Sequence, residues 1–314
     1  MRFKRVLVWM KPRYLGDAVM ATPMLDVLVR ESAEVCVLSG PLVHEVLQDR
    51  APDIRFLDSG PEIGFWGPVR MGRELRALKP DAVFVLNRSI RSALGAWLGR
   101  SPVRVGHATE WRGPLLTHAV PYGLTAPEME CGLDLVRALG LEVEDAAPSL
   151  SVTGEERERA RQMLGGAVFG LQPGARYEEK RVPTAVSAEL LRRWHAEGHL
   201  VALLGGPEER WVTEQLVEQA QVPVVDLVGR TSIREGMAVA ANLQVIVGAD
   251  TGFMHVAAAV GCPTVMVFGP NPVSKWGHHH GPHRPLQAPG GVMEALTADA
   301  VLEACSAALN RQMA

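Results

Sequence analysis

Several patterns are missing from this 314-residue sequence, and each absence removes a class of function. Cysteine is scarce: Cys36, Cys131, Cys262 and Cys305 lie far apart and share no CxxC spacing. They read as reduced, mostly buried thiols of a cytoplasmic protein rather than a disulfide framework. No stretch approaches the roughly 20 apolar residues that cross a bilayer. The apolar run that ends at Met10 is cut short by Lys11, too soon for the core of a signal peptide. Peripheral contact with a membrane stays open. Zinc-finger spacing, a basic helix with heptads and a dense Lys/Arg stripe are all absent, which makes nucleic acid a poor partner. GxGxxG follows the first strand of neither half and GxxxxGK[ST] is nowhere, which argues against a dinucleotide oxidoreductase and a P-loop NTPase.

What is present suits a globular α/β protein. Hydrophobic residues make up 47% and charged residues 21%, an ordinary balance, and the length allows two cores of about 150 residues each. The net charge of −3 hides an asymmetry. Residues 1–112 hold 17 basic and 12 acidic side chains (+5), and residues 113–314 hold 15 and 23 (−8). A modestly basic front half favours an anionic partner, unless folding scatters the charges.

Short apolar runs alternate with helical periodicity along the whole chain. Strands are expected at 5–10, 34–38, 54–57, 81–86 and 102–106, with irregular loops at 60–68 and no clear period over 107–128. Pro23 either sits inside the helix that follows Asp17 or marks its start. The alternation restarts at Val168 and completes five strand–helix steps by Pro270, and a helical tail follows from 293. Strands alternating with helices of about ten residues imply mostly parallel sheets covered on both faces. The expected domains are residues 1–160, 161–292 and a tail, 293–314.

Polar residues fall where such sheets present ligand-binding edges. The run Gln244–Val260 takes an apolar strand into Asp250-Thr251-Gly252 and then an Ala-rich helix. The free N–H groups of that helix suit a phosphate, with Thr251 and His255 four residues apart on one face. Asp250 would fix loop N–H groups or a ligand hydroxyl. His255 either stabilises leaving-group charge or is a satisfied helix histidine. At the end of the preceding first strand, Gln172-Pro173-Gly174-Ala175 leads to Lys180 and Arg181, a diphosphate grip or a solvated loop. Glu208, after Gly205-Gly206-Pro207, is a weak candidate for a ribose hydroxyl or base amino group. Asp17, behind Gly16, is either a helix cap or a general base. His278, His279, His280 and His283 are set aside as metal ligands, since adjacent histidines do not all converge and Gly277, Gly281 and Pro282 mark an exposed loop.

Taken together, Leu15-Gly16-Asp17 with Ala21-Thr22-Pro23, Pro173-Gly174-Ala175, Lys180–Pro183, Asp250–Ala259 and Val267–Pro272 resemble the ADP-heptose:lipopolysaccharide heptosyltransferases, glycosyltransferase family 9, over roughly residues 4–310. Asn87–Leu94 and Gly106–Gly113 look more like the branch adding the second inner-core heptose. The resemblance implies a GT-B fold, two Rossmann-like domains with parallel sheets facing across a cleft. It also implies an inverting, metal-independent transfer with no cofactor beyond the donor, ADP-heptose. By the same resemblance Asp17 is the general base, while Lys180, Gly174, Asp250, Thr251, Gly252, His255 and Glu208 hold the donor. Arg88, Arg91, Arg104 and Arg112 are expected on the phosphates of a lipid-linked glycan acceptor at the cytoplasmic face of the inner membrane. Val182-Pro183 departs from the family's usual Trp-Pro, so packing at that edge differs. Competing expectations are a nucleotide-sugar epimerase or hydrolase of the same fold, a transferase with another donor sugar, and a non-catalytic nucleotide-sugar-binding protein.

Overall fold

The computed structural model describes residues 2–58, 66–144 and 147–312. Residues 60–65 of the expected loop at 60–68 lie outside that set, as do 145 and 146 of the segment expected to end the first domain. The chain divides into two compact units, Met1–Pro148 and Ser149–Ala314.

The first unit contains strands β1 (Val6–Trp9), β2 (Val35–Ser39), β3 (Ile54–Asp58), β4 (Ala82–Val85), β5 (Val103–His107) and β6 (His118–Val120). They form one sheet in the order β3-β2-β1-β4-β5-β6, with every neighbouring pair parallel. β1, β2 and β4 are buried along their whole length, as strands covered on both faces must be. Their alternate residues Leu7, Trp9, Cys36, Leu38, Val83 and Val85 meet Met71, Leu75 and Ala96 in one cluster, beneath helices Gly67–Leu78 and Ile90–Leu98. The helix after Asp17 is two helices, Leu15–Met20 and Thr22–Glu31. Pro23 sits in the first turn of the second, where its missing N–H costs nothing. It therefore marks a start.

The second unit repeats the plan. Strands β7 (Phe169–Gln172), β8 (Val201–Leu203), β9 (Val225–Asp226), β10 (Val245–Ala249), β11 (Thr264–Phe268) and β12 (Arg284–Gln287) order as β12-β11-β10-β7-β8-β9, again all parallel. β6 and β12 were not foreseen, being short, partly exposed edge strands. Helix Gly154–Leu164, which spans the expected boundary between residues 160 and 161, lies in the second unit. It begins with a Thr153–Glu156 capping box, and Glu156 also grips Arg234 at 2.6 and 2.9 Å. Helix Ala298–Gln312 belongs there too, with Val301, Cys305 and Ala308 buried in the same core as Leu171 and Val267. All four cysteines are free and buried. Among the described residues no helix is long and apolar enough to cross a membrane.

In both sheets the order reverses between the first and fourth strands, β1/β4 and β7/β10. In a sheet of this kind the loops leaving the carboxyl ends of such strands diverge, and that edge is the usual place for a ligand.

Candidate active site

At the β7/β10 point, Gln172 ends one strand and Asp250-Thr251 follow the other. Thr251 caps helix Gly252–Ala259, its hydroxyl accepting from the Met254 N–H at 3.4 Å and donating to Gln172 Oε1 at 2.6 Å. That hydroxyl is committed to the fold. The backbone N–H groups of Gly252 and Phe253, with no acceptor among the described residues, are what the helix start offers an anion.

Asp250 is the hub of the corner. Its Oδ2 accepts from Lys180 Nζ at 2.9 Å and Asn271 Nδ2 at 2.5 Å, and its Oδ1 lies 3.4 Å from His255 Nε2. Burial opposes the charge on Asp250, but His255 and Lys180 outweigh it and hold the carboxyl well below the ordinary carboxylate range. A carboxylate with three donors orients them. It does not meet a phosphate, which it would repel. His255 is 3% exposed and its Nδ1 lies 3.0 Å from His278 Nε2, so both ring nitrogens are engaged, and the satisfied-histidine alternative fits this arrangement. Lys180, in a short turn over Glu178–Lys180, has one partner on Asp250 and further N–H groups for a ligand.

The two acids after β8 face different ways. Glu208 is exposed, whereas Glu209 turns inward and accepts from Gly206 N–H at 3.0 Å. A Cβ on Gly174 would lie 2.5 Å from Glu209 Cδ, and one on Gly205 2.2 Å from its Oε2. Gly174 is therefore glycine to make room for a buried carboxylate, not only to approach a ligand. Burial raises the Glu209 pKa, against the Gly206 N–H and Gln172, which lower it. The expectation of a wholly exposed histidine loop also fails. His279 and His280 are exposed, but His278 is buried and His283 bonds Thr264 Oγ1 at 3.1 Å. Among the described residues no group of three or more His, Cys, Asp or Glu side chains is placed to hold a metal ion.

At the β1/β4 point stands Asp17, in the first turn of Leu15–Met20. The cap position is Tyr14, with no side-chain cap bond, and the Asp17 carboxylate instead faces Lys11 Nζ at 3.4 Å. Asp17 is not a cap. Burial raises its pKa above the ordinary value; Lys11 and Arg88 pull it down and Glu128 pushes it up. Around it Arg88 stacks on Tyr122 at 4.3 Å, and the Tyr122 hydroxyl donates to Glu128 at 2.7 Å.

Two of the four expected phosphate arginines are spent on the chain itself. Arg112 is fully buried and donates to four backbone carbonyls: His107 at 2.6 Å, Asn87, Ser89 at 3.4 Å and Val85 at 3.4 Å. It staples the loop after β4 to the end of β5. Burial lowers its pKa to about 10, and Arg88 adds to the effect while Glu110 opposes it. Arg104 lies near the start of β5, the end away from the ligand edge, with Nε on Leu115 O at 2.8 Å and Nη1 on Ser101 O at 2.6 Å. Arg88 and Arg91 remain at the correct edge. Asn271, Gln172 and Glu209 were not singled out beforehand, and His278 was weighed only as a metal ligand. Asn271 and Gln172 lay inside motifs already noticed, but nothing marked their side chains.

Residues 69–289 match the family described as glycosyltransferase family 9 (heptosyltransferase). The chain is 27% identical over 292 residues to lipopolysaccharide heptosyltransferase 2 of Salmonella typhimurium, covering 83% of this chain and 81% of that one. Two solved structures share the fold. The family 9 glycosyl transferase of Veillonella parvula has a TM-score of 0.86 at 19% identity, over 98% of this chain and 97% of that one. The E. coli ADP-heptose LPS heptosyltransferase II has a TM-score of 0.81 at 24% identity, over 99% and 100%. Two parallel sheets with the same strand order, polar clusters at both switch points and a match running through most of the second unit agree with one another: the chain belongs to glycosyltransferase family 9, the heptosyltransferases.

Proposed function

We propose that this glycosyltransferase moves a heptose from ADP-heptose to a phosphorylated, lipid-linked inner-core sugar by one inverting displacement that needs no metal ion. The second unit takes the donor and the first the acceptor. Asp17 accepts the proton of the acceptor hydroxyl as its oxygen bonds to the anomeric carbon, and the bond from that carbon to the β-phosphate oxygen breaks. Lys180 and the N–H groups of Gly252 and Phe253 offset the charge that builds on departing ADP. Asp250 orients Lys180, Glu208 lies at the rim toward the nucleoside, and Arg88 and Arg91 meet the acceptor's phosphates. Because the acceptor is lipid-linked, the reaction belongs at the cytoplasmic face of the inner membrane, which the protein touches from outside the bilayer.

The observation that carries this reading is the setting of Asp17. It is a carboxylate released from capping, raised in pKa and poised at the sheet's ligand edge. A raised pKa makes it a better base toward an alcohol than an exposed aspartate. Asp17→Asn is expected to lose about 10²–10⁴-fold in transfer with ADP affinity, measured by calorimetry, nearly unchanged. Retained turnover would sink the assignment. A calorimetric panel of ADP-, GDP- and UDP-linked sugars tests the donor. Consumption of donor without acceptor, followed by NMR, would point to epimerase or hydrolase chemistry instead.

A further inference from the structure

The transfer chemistry leaves the histidines after Trp276 without a task, yet one of them is buried against the donor corner. His278 is 8% exposed, its Nε2 lies 3.0 Å from His255 Nδ1, and His283 packs edge-on against its ring at 5.5 Å. Four polar side chains thus run in line: Lys180 to Asp250 at 2.9 Å, Asp250 to His255 at 3.4 Å, and His255 to His278 at 3.0 Å.

The proton positions along this line follow from what each atom can do. An ionised carboxylate only accepts, so His255 carries a proton on Nε2 where it faces Asp250. A neutral His255 then has a bare Nδ1, and the group facing it must donate. The alternative, an imidazolium at His255 with His278 accepting, adds a second buried cation beside Lys180 with one carboxylate to share. Burial works against that arrangement. Burial also holds His278 well below the ordinary histidine range.

We infer that His278 is a positioning residue for the donor's diphosphate: by donating to His255 Nδ1 it fixes the His255 proton on Nε2, which keeps Asp250 turned to hold Lys180. The inference rests on the reading of Lys180 as a diphosphate ligand. A free lysine head samples many rotamers, and a ligand that must order it loses affinity. The histidine pair settles that order before the ligand arrives. Partners one shell away from a binding atom act in this way at metal sites, where their loss costs 10–100-fold.

The test uses ADP as probe on the full chain, with Lys180→Ala as the reference for a lost ligand. His278→Ala is expected to weaken ADP binding about tenfold in calorimetry, while His278→Gln, whose carboxamide N–H can replace the Nε2 donor, stays within about threefold of the parent. Thermal scans of the two variants should agree within a few degrees, separating loss of position from loss of fold. Ring ¹⁵N spectra of His255 should show protonated Nε2 and bare Nδ1 in the parent, and mixed tautomers in His278→Ala. The inference is overturned if His278→Ala binds ADP like the parent while Lys180→Ala does not. It is equally overturned if His278→Gln is as weak as His278→Ala, or if His255 proves doubly protonated at neutral pH. A parent chain that fails to bind ADP would overturn the donor reading instead, and the ¹⁵N spectra would still decide the proton arrangement.

Discussion

Replacing Arg112 separates two effects that a buried cation combines. Two of its bonds, to His107 O at 2.6 Å and to Asn87 O, are strong, and two are long at 3.4 Å. A hydrogen bond to a charged group contributes ~1.5–3 kcal/mol, so losing both strong ones costs ~3–6 kcal/mol. The carbonyls are not stranded: His107 O also accepts from Thr109 N–H and Asn87 O from the Ser92 hydroxyl. Against this stands the cost of burying the charge. A pKa lowered from 12.5 to about 10 corresponds to ~3 kcal/mol. Arg112→Met removes both contributions, for a net loss of ~0–3 kcal/mol, or up to ~10 °C in Tm. Arg112→Lys keeps a buried cation, more strongly hydrated than guanidinium, and loses the fork that reaches several carbonyls. Its expected loss is ~3–5 kcal/mol. The conservative exchange should therefore be the more damaging one in a calorimetric scan of the full chain. A lysine variant that melts at or above the methionine variant would refute the reasoning.

In the mechanism proposed above, Asp17 sets the acid limb of transfer. A base must be ionised and its pKa is raised, so activity should fall at a higher pH than an ordinary aspartate would give. Lys11→Met, which removes a charge that lowers that pKa, should move the limb of kcat/KM higher still; an unmoved limb would contradict the pairing. Glu156 gives the opposite sign. Held at about 2 against an ordinary 4.5, chiefly by Arg234, it contributes ~3 kcal/mol. That contribution is complete above pH 4.5 and lost as pH falls toward 2. Glu156→Gln should flatten this part of the acid-unfolding curve. Gly174→Ala places a methyl against Glu209 and should lower Tm and ADP affinity together, with Gly174→Ala/Glu209→Gly recovering the Tm. Trp111, 95% exposed with φ at +57°, holds a backbone conformation that costs a bulky residue ~1 kcal/mol. Trp111→Gly should therefore raise Tm by a few degrees.

Periodicity carried most of the architecture. Buried parallel strands such as Val245–Ala249 and Thr264–Phe268 read as apolar runs because both faces are covered. The edges were harder: His118–Val120 and Arg284–Gln287 are short, partly exposed and polar, and only pairing to β5 and β11 makes them strands. Within the candidate site, residue type and order located both corners but not the direction of individual side chains. Nothing local distinguishes Glu208 from Glu209, or His278 from His279. Arg112 lies in a loop of no clear period and looks like any surface arginine until the carbonyls of β4 and β5 converge on it.

The four native thiols have a practical consequence. Each is buried, which limits the access of an alkylating dye, and burial pushes Cys36 up to about 11 and Cys305 up to about 12, so little thiolate forms at those two at neutral pH. A single cysteine installed at an exposed position such as Leu124 or Pro102 would become the preferred target of maleimide or spin-label chemistry. Site-specific labelling of this enzyme can begin from the native sequence, without first stripping it of sulfur.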